Sequence, residues 1–558
     1  MDNIIRLIAA TDRLGRRVIP IGSERKDRYV GIFYFLWLGQ HVKKDTEIYD
    51  NTKLLKSSPE LLWDTAGNKA SPVGEYHFWG EPLFGYYNSL DEWVMRRHIK
   101  MLTLAGVDFL VFDTTNAVTY DAVWEKLFAI LEEYRLAGWD VPKIAFYTNT
   151  ASGRTVRHLY DVLYAPGRYR DLWFTREGKP LIIGVESEIE QKLRDFFWFR
   201  PSQWPNEPDR EGGFPWIDWH RPQKLYGDVM SVSVAQHPGL PFSDSVQFKE
   251  HDSNWGRGFH DGKNDKGAIE SGANFEEQWN HAIECDPKIV FVTGWNEWIA
   301  IKFVGNPGGK YGERVFFVDC ADEEFSRDIE PMRGGYGDNF YLQLARNIRR
   351  YKGTANQGEK YRTAKTLDIY GDLSQWDDVK TIYRGFGDRT ARDCLSHSPK
   401  MRYTAPAPRN AICEVRVADD EAYLYFYIRA AENIGLYPDE RNCMNIFITP
   451  LCGGTGLGGF DYVVGREIYP GSVSSVHKIT APVIEGGAPG YSRVGTAEYN
   501  LSGRTIQLRI PRTSVKLGAN EGFIFKVADG VECPDDMMSY YTSGDCVPFG
   551  RLGFAYGV

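Results

Sequence analysis

The stretch Lys288-Ile289-Val290-Phe291-Val292-Thr293-Gly294-Trp295-Asn296-Glu297-Trp298 is an apolar run of strand type that ends in an amide and a carboxylate between two indoles. In a parallel α/β fold the C-terminal end of a strand is where reacting groups are displayed. Indole faces match the apolar C–H faces of a sugar ring, and Asn296 and Glu297 match its hydroxyls. A buried strand with core tryptophans and an ion-paired glutamate would leave the same pattern, so the neighbouring segments have to decide.

Those segments repeat the theme. Apolar runs at 31–37, 107–112, 143–147, 180–185, 214–219 and 229–235 read as strands. Helical spacing fills 89–106, 120–136, 155–164, 188–197, 274–285 and 339–351. The first of these opens on the capping box Ser89-Leu90-Asp91-Glu92 and closes at Gly106. Such alternation over 29–352 argues for a parallel sheet, and the strand number favours a (β/α)8 TIM-type barrel with 315–318 as the candidate eighth strand. An open doubly wound sheet is the alternative. It would normally carry a phosphate-binding glycine turn, and no GxGxxG follows the first strand.

Near residue 353 the character changes. Residues 353–364 are polar and aperiodic, as in a linker. Short alternating runs at 411–417, 422–428, 445–448, 462–464, 505–510 and 522–527, separated by turn residues, predict an all-β sandwich. The expected organisation is a barrel over 1–352, a linker over 353–364 and a sandwich over 365–558.

Bulk properties narrow the function. A chain of 558 residues exceeds one hydrophobic core. Its formal charge of −9 gives no basic footprint for nucleic acid. Aromatic content of 14%, with 16 Trp and 32 Tyr, fits saccharide contact as well as β-rich packing. The eight cysteines include no CxxC pair, so no structural zinc site is read; bridges and free thiols both stay open. No apolar run approaches membrane-spanning length. Residues 1–10 lack the ordered regions of a signal peptide, and none is expected there.

A barrel brings its strand C-termini to one mouth. The strand assignments place Trp37, Asp113, Asn149, Glu186, Asp218, Gln236, His237, Asn296 and Glu297 there. Each has a structural alternative: Asp113 as a cap for its loop through Thr114 and Thr115, Glu186 as a helix cap, His237 before Pro238 as a turn residue. No HExxH occurs, and His251 and His260 flank a glycine-rich loop without ligand spacing, so no catalytic metal is expected. No GxSxG elbow occurs either. Carboxylates, amides, imidazoles and indoles are left, an inventory that suits glycosidic bond cleavage. There one carboxyl group protonates the departing oxygen and another serves as base or nucleophile.

The first two thirds resemble glycoside hydrolase families 99 and 71 and the related family 99-like barrels. The resemblance rests on the aromatic first strand, on Ala105-Gly106-Val107-Asp108-Phe109-Leu110-Val111-Phe112-Asp113, and on Thr293-Gly294-Trp295-Asn296-Glu297-Trp298, close to a TxWNEW signature. It implies an α-glycosidase on mannan- or glucan-type chains, with no required cofactor. It also implies two glutamates three residues apart, the first assisting attack by the substrate's own 2-hydroxyl. Glu297 matches the first, and Ala300 stands at the second. A replacement acid then has to come from another strand end, with Asp113, Glu186 and Asp252 as candidates in that order.

The last third resembles the family 9-like carbohydrate-binding sandwich, on Ile369-Tyr370-Gly371-Asp372-Leu373-Ser374-Gln375-Trp376, Gly387-Asp388-Arg389-Thr390 and Phe460-Asp461-Tyr462-Val463-Val464. That resemblance implies sugar stacking on an aromatic side chain, with Trp376, Tyr383, Tyr403 and Tyr425 as candidates, and room for structural calcium. The reading as a whole is a glycoside hydrolase acting on a carbohydrate substrate. Glu297 is the principal carboxylate, Asp113 its partner and Glu186 the reserve, while Trp37, Trp79, Trp295 and Trp298 shape the subsites. A catalytically inactive glycan-binding protein is the alternative, motivated by Ala300.

Overall fold

The computed structural model describes residues 4–248, 253–354, 361–437, 439–482 and 487–558, so His251, Asp252 and half of the expected linker lie outside the described residues. The chain forms two compact units: 26–352 with 393–403, and 1–25 with 353–392 and 404–558.

The first unit is a (β/α)8 barrel. Its strands are β1 (Tyr29–Tyr34), β2 (Phe109–Thr114), β3 (Lys143–Thr148), β4 (Lys179–Gly184), β5 (Trp198–Gln203), β6 (Phe214–Pro215), β7 (Val229–Ser233) and β8 (Ile289–Thr293). They pair in parallel in the order β6-β5-β4-β3-β2-β1-β8-β7. Because β1 lies between β2 and β8, the sheet curls round on itself, unlike the open-sheet alternative. The seam between β6 and β7 carries no ladder and is closed by side chains. Ser231 Oγ of β7 donates across it to Trp216 O at 3.5 Å; Thr293 Oγ1 of β8 donates to the same carbonyl, and Tyr147 Oη of β3 donates to Phe214 O of β6 at 2.9 Å. Helices α1 (Glu92–Ala105), α2 (Asp121–Leu136), α3 (Ser152–Leu159), α4 (Gln191–Phe196), α5 (Ala273–Cys285) and α6 (Asn339–Lys352) complete the repeat.

Two strand expectations are corrected. The segment 198–203 is a barrel strand that the sequence hides: Trp198-Phe199-Arg200-Pro201-Ser202-Gln203 has no apolar alternation and carries a proline. Conversely, Val315–Phe316 pairs antiparallel with Phe303–Val304 in a surface hairpin and is not the eighth barrel strand.

Side chains alternate across a strand with period two, and that alternation positions the site. Phe33 and Phe35, Phe109 and Val111, Ala145 and Tyr147, Leu181 and Ile183, and Ile289 and Phe291 fill the barrel interior. The same rows run upward to Trp37, Asp113 and Asn149. The opposite parity packs outward, as where Phe112 meets Phe128 of α2 with ring centroids 5.3 Å apart.

The second unit is built on a continuous antiparallel sheet. Phe426 touches Phe523 and Phe525, six strands away along the sheet, and Tyr383 touches Phe525 and Phe554. The sheet is therefore folded over into two packed layers, a β-sandwich. The N-terminal residues belong to this unit rather than to the barrel that the sequence assigned them to. Ile8–Thr11 pairs with Gly553–Tyr556 and with Arg17–Val18, because its apolar side chains continue the sandwich core. Leu7 and Ile8 are buried and each stabilises this edge by about 2 kcal/mol. A chain lacking residues 1–18 is expected to lose at least about 3 kcal/mol in this unit. Amide hydrogen exchange of 553–556 checks this; unchanged protection there would contradict the assignment.

The stacking residues expected in the sandwich are otherwise engaged. Trp376 is buried and donates its indole N–H to Gln507 at 2.7 Å, Tyr383 is buried, and Tyr425 is buried with its hydroxyl on Asp420. Tyr403 belongs to the barrel unit, where its hydroxyl accepts from Tyr86 N at 3.0 Å. Among the described residues the eight cysteines form no disulfide. Among the described residues no helix is long and apolar enough to cross a membrane, and no group of three or more His, Cys, Asp or Glu side chains is arranged to hold a metal.

Candidate active site at the barrel mouth

The chain leaves β8 through Gly294, where a Cβ would come within 2.8 Å of Asp328 Oδ1 and would have to displace that carboxyl group. Beyond it the four residues of the motif diverge. Trp295 is fully buried on the outer side, edge-on to His98 at 5.5 Å and to Tyr341 at 6.3 Å. Asn296 is buried against the backbone just beyond β1: its Oδ1 accepts from Phe35 N at 2.9 Å and its Nδ2 donates to Phe35 O at 3.1 Å. Trp298 is sealed beneath the mouth, stacked on Trp79 at 4.4 Å and donating to Glu330 Oε2 at 2.5 Å. Only Glu297 turns into the mouth.

This corrects four of the expected substrate contacts. Trp79, Trp295, Trp298 and Asn296 are core residues, with no surface for a ligand. Behind them Glu330 accepts from Trp298, meets His98 Nε2 at 2.9 Å and accepts from Tyr87 at 2.7 Å, while His98 Nδ1 meets the Tyr34 hydroxyl at 2.8 Å. A buried polar network satisfied in this way fixes one packing arrangement. Trp298→Ala is expected to cost about 3–5 kcal/mol, measured by denaturant unfolding; a loss below about 1 kcal/mol would show the indole to be loosely held.

Three further expected contacts do not turn into the mouth. Gln236 lies on the outward row of β7, where Nε2 donates to Asp218 O and Oε1 accepts from Asn274 and Gln278 of α5. Asp218 is buried and ties its own loop, accepting from His220 N at 3.0 Å and from Lys224 N at 2.6 Å. Glu186 has outward parity on β4; its carboxylate is 60% exposed and paired with Arg194 at 3.1 Å, so the structure does not bring it to the mouth. Asp113 does reach the mouth, but its Oδ1 accepts from both the amide and the hydroxyl of Thr115, at 3.0 and 2.7 Å, capping the loop.

The mouth itself is organised by a residue the sequence reading missed. Arg327 is fully buried in the loop after β8. Its Nη2 donates to Glu297 Oε2 at 2.9 Å and to Asp319 Oδ1 at 3.0 Å, and its Nη1 to His237 Nδ1 at 3.0 Å. Since arginine only donates, His237 Nδ1 must be the acceptor, which places the ring proton on Nε2, 3.9 Å from Asp319 Oδ1. Burial, reinforced by Arg327, pushes His237 down to about 3, so the ring is neutral. The guanidinium lies 4.9 Å from the centre of the Trp216 ring. Around this centre stand Trp37 and Tyr76 (5.8 Å, edge-on), and Trp204, which touches Trp216 and donates to Asn149 Oδ1 at 3.0 Å. The indole N–H groups of Trp37, Trp216 and Trp219 are buried and have no partner among the described residues.

Glu297 is 7% exposed at its side chain and Asp319 36%. Burial raises the Glu297 carboxyl well above the usual range; Arg327 opposes this, and Asp319, Asp328 and Asp113 add to it. Asp328 underlies the motif: its Oδ1 accepts from Glu297 N at 2.7 Å, and burial pushes it up to about 6. Asp113 is also raised by burial, against its bonds from Thr115. The arrangement is one buried cation holding two carboxyl groups, the inner one biased to keep its proton and the outer one open to solvent. Asp319, Arg327 and Asp328 sit in the acid-rich segment 318–330, whose charge density reads in sequence as a solvated surface.

A nearly closed parallel barrel with an acid-bearing, aromatic-rimmed mouth is the class of protein these features define. No family model matches the chain, and no curated protein matches it. Solved structures do. An endo-alpha-mannosidase of glycoside hydrolase family 99 from Bacteroides thetaiotaomicron is 14% identical, covering 59% of this chain and 98% of its own, with a TM-score of 0.34. A glycoside hydrolase-like protein is 12% identical, covering 60% and 96%, with a TM-score of 0.32.

Proposed function

We propose that the protein is a glycoside hydrolase that cleaves an O-glycosidic bond of an oligo- or polysaccharide, of α-mannan or α-glucan type, at the barrel mouth. The observation that carries this reading is Glu297: a carboxyl group at the end of β8, buried enough to hold a proton and opening beside a second, solvent-accessible carboxylate. Such a group can give its proton to a departing glycosidic oxygen, which a carboxylate of ordinary acidity does poorly at neutral pH. Trp37 and Trp204, only partly buried beside the core cluster, supply apolar faces for sugar rings. Release of reducing ends from a panel of α-manno- and α-gluco-oligosaccharides tests the proposal; no release from any member would count against it.

The alternative is a glycan-binding barrel without turnover. It is favoured by Ala300, which stands in the short strand Ile299–Ile301, paired with His77 and 6% exposed, so that the resemblance's second glutamate has no equivalent at that place. Saccharide binding by calorimetry without release of reducing ends would select this alternative.

A further inference from the structure

Resting on the hydrolase reading, we propose that Asp319 is the second catalytic carboxylate, the nucleophile that faces Glu297 across the scissile bond. One nitrogen, Arg327 Nη2, donates to both Glu297 Oε2 and Asp319 Oδ1, at 2.9 and 3.0 Å. The two protons of a guanidinium nitrogen diverge by about 120°, and linear bonds along them would place the two acceptor oxygens about 5 Å apart. That is the separation of the acid and the nucleophile in retaining glycosidases, about 5–5.5 Å, and it is too short for the water that an inverting pair accommodates at about 6.5–9.5 Å. The remaining oxygens, Glu297 Oε1 and Asp319 Oδ2, take no hydrogen bond from the described residues. Asp113 is less suited, since Thr115 holds its Oδ1 twice.

The step balances. Asp319 Oδ2 attacks the anomeric carbon while the bond to the departing oxygen breaks and Glu297 gives that oxygen its proton. The sugar is left as an ester on Asp319. Glu297, now a carboxylate, takes a proton from water, and the resulting hydroxide displaces Asp319 from the anomeric carbon. Water has been added across the glycosidic bond, with the anomeric configuration retained.

The test compares the full-length chain, Asp319→Asn and Glu297→Gln on a cleaved oligosaccharide and on α-mannosyl and α-glucosyl fluorides, whose leaving group needs no protonation. Asp319→Asn is expected to lose about 10³-fold on both substrate types, and Glu297→Gln far less on the fluoride than on the saccharide. The first product seen by proton NMR should keep the substrate's configuration. Asp319→Ala with sodium azide guards against a merely misfolded variant: azide should restore turnover and form a glycosyl azide of opposite configuration. Asp319→Asn within about tenfold of the unaltered chain, an inverted first product, or a folded Asp319→Ala without azide rescue would overturn the role of Asp319 and leave Glu297 standing. Failure of the unaltered chain on every substrate would remove the hydrolase reading and this inference with it.

Discussion

Glu297→Gln is expected to lower turnover of a natural saccharide by about 10³-fold while raising thermal stability above pH 7. Glutamine keeps the shape and the acceptor oxygen for Arg327 Nη2 but has no acidic proton to give. The stability effect follows from proton linkage. Glu297 is raised in the folded chain, so between its unfolded and folded values the native state binds more protons than the unfolded state. Stability contributed by this carboxyl is therefore full below about pH 4 and lost as the pH rises through the folded value. Removing the carboxyl removes that loss. The variant should melt higher than the parent at pH 8, by about 2 °C for each kcal/mol recovered, and level with it near pH 4. Calorimetric scans across that range check the sign; a lower midpoint for the variant at pH 8 would mean that Glu297 is an ordinary buried ion-pair partner. Raised stability with lost activity is the usual signature of a strained functional group.

Arg327→Met should have the largest effect on folding. It removes a fully buried guanidinium that serves Glu297, Asp319 and His237 at once, and leaves the carboxyl groups uncompensated. Breaking a buried pair from one side costs about 3–5 kcal/mol. Part of this is recoverable by protonation, so the deficit should be greatest at high pH and shrink toward pH 4. Arg327→Lys should recover little, because an ammonium lacks the planar fork that spans three acceptors. Urea midpoints at pH 5 and 8 provide the measurement. A deficit independent of pH would place the cost in packing against Trp216 and Phe242 rather than in charge.

How much of this was legible in the sequence depends on which physical rule each residue obeys. Strands and helices with clean apolar periodicity were readable, and with them the barrel and its order. Strand β5 was not, because Arg200 and Pro201 interrupt it and its hydrogen-bonded neighbours, not its own composition, hold it extended. Among the site residues, Trp37, Asp113, Asn149, His237 and Glu297 reach the mouth, and the inward parity of their strands could have sorted them from Glu186 and Gln236. The tryptophans beside Glu297 could not be sorted in this way. The turn at Gly294 breaks the alternation and sends Trp295 and Trp298 into the core. Nor could Arg327 and Asp319 be reached from local pattern: they lie 30 and 22 positions beyond Glu297 in a segment of no regular period, brought back only by the packing of the loop on the mouth.

The most direct check on the central claim is the protonation state of one group. An infrared difference spectrum at pH 7 between the parent and Glu297→Gln isolates that carboxyl. A protonated-carboxyl band lost from the parent is the predicted result, as a proton donor poised at the mouth requires. A carboxylate band lost in its place, with none from a protonated acid, would contradict it.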